Sequence, residues 1–197
     1  RRGREAGKGG LRVGGRGNRG GQSSQRVGEK LARRVIGWDL PRHGAPATYP
    51  EQAPRGPVVT LADERSGSDG DIVTAAIKRL GVGPVVGTRT WGGVIGIDSR
   101  YRLVDGTLVT QPRYATWFDD VGWTMENHGV DPDVEVVVTP QDRASGRDPQ
   151  LDRAIAIALA RLDEHPPARP PDLAGRPSAA RPALPGRPGG GDRHHIA

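Results

Sequence analysis

The sequence predicts an α/β fold assembled from βαβ units, and three observations carry that expectation. An apolar, β-branched run, "PVVTLAD" at 57–63, precedes an amphipathic helical pattern at 71–80 and a second apolar run, "GPVVGTRT" at 83–90. Strand, helix and strand within about thirty residues describe a crossover between parallel strands. Two apolar runs flank Asp105-Gly106 in "YRLVDGTLVTQ", the pattern of a β-hairpin. A long stripe of helical period in "DPQLDRAIAIALARLDE" describes a closing helix.

Each element has its own local grounds. Residues 1–17 form a basic, Gly/Arg-rich arm with little to bury, and "GGLRVG" within it is a feeble strand. In "QSSQRVGEKLARRVIG", Val27, Leu31 and Val35 recur every four residues. Ser23 or Ser24 can cap that helix and Gly37 can end it. Four prolines between 41 and 56 exclude regular structure there. The run 57–63 has the composition of a strand buried on both faces. Ile72, Val73, Ala76, Ile77 and Leu80 line one side of the next helix, and Gly81 stops it. "DVEVVVTP" is a further strand, ended by Pro140. Asp148 is the N-cap of the closing helix with Pro149 at its first position. Its stripe is Leu151, Ala154, Ile155, Ala158, Leu159 and Leu162. From His165 onward a Pro/Arg/Gly composition without periodicity predicts disorder. The expected organisation is an arm at 1–17, a folded unit at 18–164 and a tail at 165–197.

Composition narrows the function. The 197 residues include no cysteine, so disulfide frameworks and cysteine metal sites are excluded. That usage fits a reducing, cytoplasmic setting. No apolar run approaches the roughly 20 residues that span a bilayer, so no membrane partner is expected. Net charge is +6, and the first 34 residues hold eleven Lys/Arg against two Glu. Such a flank can bind nucleic acid or remain a solvated arm, and the solvated arm is the favoured reading.

The turn "ERSGSDGD" holds the most informative chemistry. Ser68 lies between a buried strand and a helix, beyond the strand's carboxyl end, where open α/β sheets keep their ligand sites. The free N–H groups of a helix start stabilise developing negative charge. Ser68 could attack a carbonyl while the N–H of Asp69 faces the oxyanion. The competing reading is an ordinary cap in which Ser68 pairs with Asp71. Gly15, Gly17 and Gly20 match G-x-G-x-x-G, with Asp39 nineteen residues further on, a nominal dinucleotide fingerprint in poor context. The same stretch is compatible with an RGG-type RNA-binding segment. Glu126, His128, Asp131 and Asp133 cluster in "WTMENHGVDPD", where a polar loop is favoured over a metal site. A serine nucleophile needs a base. Of five histidines, only His43 and His128 are internal candidates, and neither has a compelling setting.

Taken together, "GSDGDIVTAAIKRLGVGPVVGTRTWGGVIGI", "YRLVDGTLVTQPRYATW", "ENHGVDPDVEV" and "GRDPQLDRAIAIAL" resemble the C-terminal catalytic domain of tricorn proteases. These belong to the carboxyl-terminal-processing class of serine peptidases. The resemblance runs from about Gly17 to Leu162. It implies a crotonase/ClpP-like core of βαβ units with a β-hairpin and a C-terminal helix. It also implies peptide hydrolysis through an acyl-enzyme, with no cofactor and no metal. Ser68 corresponds to the nucleophile. Asp69 and a glycine of Asn18-Arg19-Gly20-Gly21, taken as Gly21, correspond to the oxyanion hole. Glu126 corresponds to the glutamate of a Ser-His-Ser-Glu tetrad, and Asp39 to an aspartate favouring basic P1 residues. The family's histidine and second serine lie upstream, so the chain is expected to be a truncated domain lacking its catalytic histidine. Peptide substrates and a homo-oligomer are the expected partners, and nucleic acid is not. The alternatives are a non-catalytic oligomerisation or binding module, or RNA binding through the basic arm.

Overall fold

The structure, a computed structural model, describes residues 11–177 and residue 183. Its centre is a four-stranded parallel sheet. The strands are β1 (Leu11–Gly14), β4 (Val58–Ala62), β5 (Val85–Gly87) and β8 (Val134–Glu135), side by side in that order. Every residue of β4 is buried, as a strand covered on both faces must be. The covering helices are α1 (Ser24–Ala32) and α2 (Asp69–Arg79) on one face and α4 (Pro149–Glu164) on the other. Leu31, Val58, Val73 and Ile77 close the first face, and Val59, Leu61, Val86 and Ala154 close the second. Ala75, Val94, Met125 and Val130 form a third cluster on the far side of α2, with Ile72 packed against it. Thus α2 is buried on two sides, and its start is fixed within narrow limits.

Two small antiparallel pairs flank this centre. One joins β2 (Gly37–Asp39) to β3 (Ala47–Tyr49), and the other joins β6 (Gly96–Arg102) to β7 (Leu108–Tyr114). The β6–β7 hairpin turns at Asp105-Gly106 as expected, but it begins five residues earlier than the sequence pattern suggested. Most of its side chains are exposed.

Several expectations are corrected. Residues 11–14, read as part of the arm, are strand β1, because main-chain pairing with β4 needs no apolar side chains. The proline-rich segment 41–56 contains β3, whose three residues fall between Pro46 and Pro50. Helix α1 stops at Ala32, so Val35 lies beyond it. Strand β8 is two residues long, and Pro140 opens a short helix, α3 (Pro140–Ala144), closed by a Thr139–Asp142 capping box. Leu80 and Leu159 are each 56% exposed rather than buried, while Ile157 packs on the sheet instead. The start of the expected tail is also placed against the body. Ala168 N–H donates to Arg55 O at 2.7 Å, and Arg176 Nη2 donates to Leu40 O at 3.1 Å. Residues 1–10 and most of 178–197 lie outside the described residues.

The closing helix α4 starts as expected. Asp148 accepts from Leu151 N–H at 3.0 Å, and Pro149 occupies the first position. The same carboxylate takes a two-pronged pair from Arg16, at 2.8 and 2.6 Å. The hydrogen bonds from Arg16 hold Asp148 below the ordinary carboxylate range. This pair pins the loop after β1 to α4, beside the carboxyl ends of the strands.

Candidate active site

Ser68 stands at the junction of β4 and α2 with φ +54 and ψ −115. A serine at positive φ carries a strain of about 1 kcal/mol or more, sustained only where the surroundings enforce it. The surroundings here are three chain segments. Gly67 N–H donates to Asn18 O at 2.8 Å, and a Cβ on Gly70 would lie 2.4 Å from that same oxygen. Glycine at 70 therefore admits the 18–21 loop onto the turn. From the other side, Trp91 N–H donates to Ser66 O at 2.9 Å, and a Cβ on Gly67 would meet the Trp91 ring at 2.7 Å.

The two serines of the turn have different fates. Ser66 is fully buried, with its Oγ bonded to Gly15 O at 3.0 Å and Asp63 Oδ1 at 3.1 Å. Ser68 is half-buried, and its side chain makes no capping hydrogen bond to α2. The capping alternative fails at Ser68, whose hydroxyl accepts no N–H of α2, and the Asp71 carboxylate takes its hydrogen bond from Gly92 N–H.

The 18–21 loop borders the Ser68 hydroxyl. Gly20, at φ +135, borders it: a Cβ there would lie 3.6 Å from Ser68 Oγ. Gly20 N–H is turned to Asn18 Oδ1 at 3.3 Å. The N–H groups of Gly21 and Asp69 meet no acceptor among the described residues. The Asp69 carboxylate points the other way. It accepts Ser23 N–H and Ser23 Oγ at 2.9 Å and Ser24 N–H at 3.1 Å, so it caps α1 in place of the expected serine. Asp69 thus leaves its amide without an acceptor among the described residues and gives its side chain to another helix.

Burial alone would raise the Asp69 carboxyl, but the hydrogen bonds from Ser24 and Ser23 outweigh it and hold the group below its ordinary value. A carboxylate with a depressed folded pKa contributes stability above its unfolded value and loses it as pH falls through the folded one. Acid titration should therefore release the start of α1 only below the normal aspartate range. The Ser23 and Ser24 amide NMR shifts report this, and Asp69→Asn should remove the transition. A transition above the ordinary aspartate value would contradict this account.

Glu126 is half-buried, and its Oε2 accepts Val94 N–H at 2.7 Å and Ile95 N–H at 3.0 Å. Its Oε1 meets no partner among the described residues. Residues 90–95 form a strap between Glu126 and the Ser68 turn, because Gly92 N–H and Trp91 N–H bond to Asp71 and Ser66. The rest of the acidic cluster disperses: His128 pairs with Asp131 at 2.9 Å, and Asp133 accepts Val85 N–H and pairs with Lys78. Asp39 lies exposed at the end of β2 and is not drawn to the Ser68 turn by any hydrogen bond among the described residues. His43, His128 and His165 are exposed, and none bonds to Ser68. Sequence reasoning missed the strap and the carbonyl of Asn18. The cluster of glycines at 92 and 93 beside an exposed tryptophan was the available signal.

A strained serine at a strand-to-helix turn is the kind of feature that serine hydrolases place at a nucleophile. Comparison with known proteins agrees. The description Peptidase family S41 matches residues 13–136. The chain is 69% identical to tricorn protease homolog 1 of Streptomyces coelicolor over 86% of its own length and 16% of that protein's. It is 49% identical to the tricorn protease of Thermoplasma acidophilum over 82% of its length and 15% of that protein's. A crystal structure of the tricorn protease superposes with a TM-score of 0.75 at 49% identity, covering 79% of this chain and 15% of that one. The chain belongs to peptidase family S41, whose members are serine-type hydrolases. It is homologous to the C-terminal region of tricorn proteases and spans about one sixth of the curated relatives it matches, 16% and 15% in the two cases above.

Proposed function

We propose that this chain carries the nucleophile, the oxyanion-binding amides and one carboxylate of a serine-type endopeptidase that hydrolyses peptides through an acyl-enzyme. The observation that carries the reading is Ser68: a strained serine whose hydroxyl caps no helix and is bordered by Gly20, while the N–H groups of Gly21 and Asp69 are unengaged among the described residues. Ser68 Oγ attacks the scissile carbonyl, and those two amides receive the negative oxygen. Glu126 acts at one remove, its free Oε1 accepting from a second serine that orients the histidine base. Neither group is identified here: His43, His128 and His165 are exposed, and no described histidine hydrogen-bonds to Ser68. Losing one triad member leaves a rate enhancement on the order of 10³–10⁴ over water, so the chain by itself is expected to be nearly inactive.

The sheet and its flanking helices are read as a crotonase/ClpP-like core. Asp39 would favour a basic P1 residue, peptides are the substrates, and the working protein is a cytoplasmic homo-oligomer without a cofactor. No helix among the described residues is long and apolar enough to cross a membrane. A second reading, an assembly module, is favoured by the β6–β7 hairpin, which exposes Tyr101, Leu103, Val104 and Leu108. A fluorophosphonate probe with peptide mapping separates the two. An adduct on Ser68 supports the peptidase, and an adduct absent from residues 64–81, with the upstream segment of a relative supplied in trans, removes it.

A further inference from the structure

Asp71 is fully buried in the first turn of α2, three residues after Ser68, and the acyl chemistry gives it no part. Its Oδ1 accepts Gly92 N–H at 2.9 Å. Its Oδ2 is equally buried and meets no hydrogen-bond donor among the described residues. A buried carboxylate with an unsatisfied oxygen is costly, and such a group persists where something depends on it. What depends on it here is the strap. Gly92 sits at φ +88, and a Cβ there would come within 2.5 Å of Gly129 N, so only bare backbone fits between the 126–130 segment and α2. Gly92 O accepts Asn127 N–H at 2.7 Å, next to Glu126, whose carboxylate holds the strap's Val94 and Ile95 amides. Asp71 and Glu126 therefore grip one short segment from two sides.

We propose that Asp71 is a positioning residue whose carboxyl group locks the turn bearing Ser68 to the 90–95 strap that Glu126 grips from its other side. The lock rests on the peptidase reading of Ser68. Burial pushes the Asp71 carboxyl above its ordinary value, and nearby polar hydrogens, the Gly92 N–H among them, offset this in part. The main chain of Asp71 belongs to the start of α2 and its Oδ1 reaches the strap, so this one side chain joins the two. Asparagine keeps one acceptor and the volume, and alanine keeps neither.

The test uses the 197-residue chain in four forms: unaltered, Asp71→Ala, Asp71→Asn and Ser68→Ala. Each is followed by fluorophosphonate labelling rate, with the upstream segment of a relative supplied in trans, and by amide hydrogen exchange. Asp71→Ala should slow labelling about tenfold or more and raise exchange at Gly92, Val94 and Ile95 by a similar factor, leaving β4 and β5 unchanged. Asp71→Asn should restore both to within about threefold. The lock is overturned if the alanine variant labels and exchanges as the unaltered chain does. It is equally overturned if labelling is lost while the strap stays protected. If the alanine variant does not fold, the asparagine variant decides: near-normal labelling with a protected strap supports the lock, and loss of either defeats it. Labelling that survives in Ser68→Ala defeats the peptidase reading instead, and strap exchange then judges the lock separately.

Discussion

Ser68→Ala is expected to leave no covalent adduct with a fluorophosphonate. With the upstream segment of a relative supplied in trans, turnover should fall on the order of 10⁶-fold, as for other serine nucleophiles. The companion change, Ser66→Ala, sharpens the result. Ser66 Oγ donates to Gly15 O and Asp63 Oδ1 and accepts Asp63 N–H at 3.2 Å, so its removal deletes these bonds and leaves that N–H without its partner, at about 1–3 kcal/mol. That variant should melt earlier yet still be labelled. The opposite pattern, labelling lost with Ser66 and kept with Ser68→Ala, would end the assignment. The two serines are two residues apart, and only the path of the backbone tells them apart.

The second large effect is expected in the sheet. Gly87 has φ +139 and pairs with Ala62, and a Cβ placed on it would lie 1.9 Å from Ala62 O. Real Cβ atoms do not approach a carbonyl so closely, so Gly87→Ala must push β4 and β5 apart. Overpacking and the unfavourable φ together should cost about 3 kcal/mol or more. Against a typical total of roughly 5–15 kcal/mol, this lowers the melting temperature by about 10 °C or prevents folding. Gly106 provides the control. Its φ is +83, but a Cβ there meets nothing within 4 Å, so Gly106→Ala carries only the conformational cost, about 1 kcal/mol. Thermal melts followed by circular dichroism compare the two. Equal losses would show that the sheet contact contributes nothing.

The parts of the fold legible in the sequence were those whose signals are local. The apolar run at 57–63, the span of α4 with its Asp148 cap, and the Asp105-Gly106 turn all appear where expected, though Ile157 rather than Leu159 packs from α4 on the sheet. Strand β1 was not legible, because its place is fixed by main-chain bonding to β4. The stripe of α2 was read as one face, whereas Ala75 and Ile72 pack on a second cluster formed by Val94, Met125 and Val130. At the site, Ser68 stood out by its position between strand and helix. The role of Asp71 did not, since a capping box and a buried tether have the same spacing. The choice between Gly20 and Gly21 depends on where each N–H points, and two adjacent glycines give no hint of that.

The 66–71 turn is framed by Asn18 on one side and by Trp91 and Gly92 on the other, with Glu126 behind them. These contributors are spread across more than a hundred positions of the chain. During synthesis the serine leaves the ribosome long before the last of them does. Until residue 126 has emerged and docked, the backbone of residue 68 has no framework to hold it at positive φ, so its strained geometry belongs to the finished fold alone.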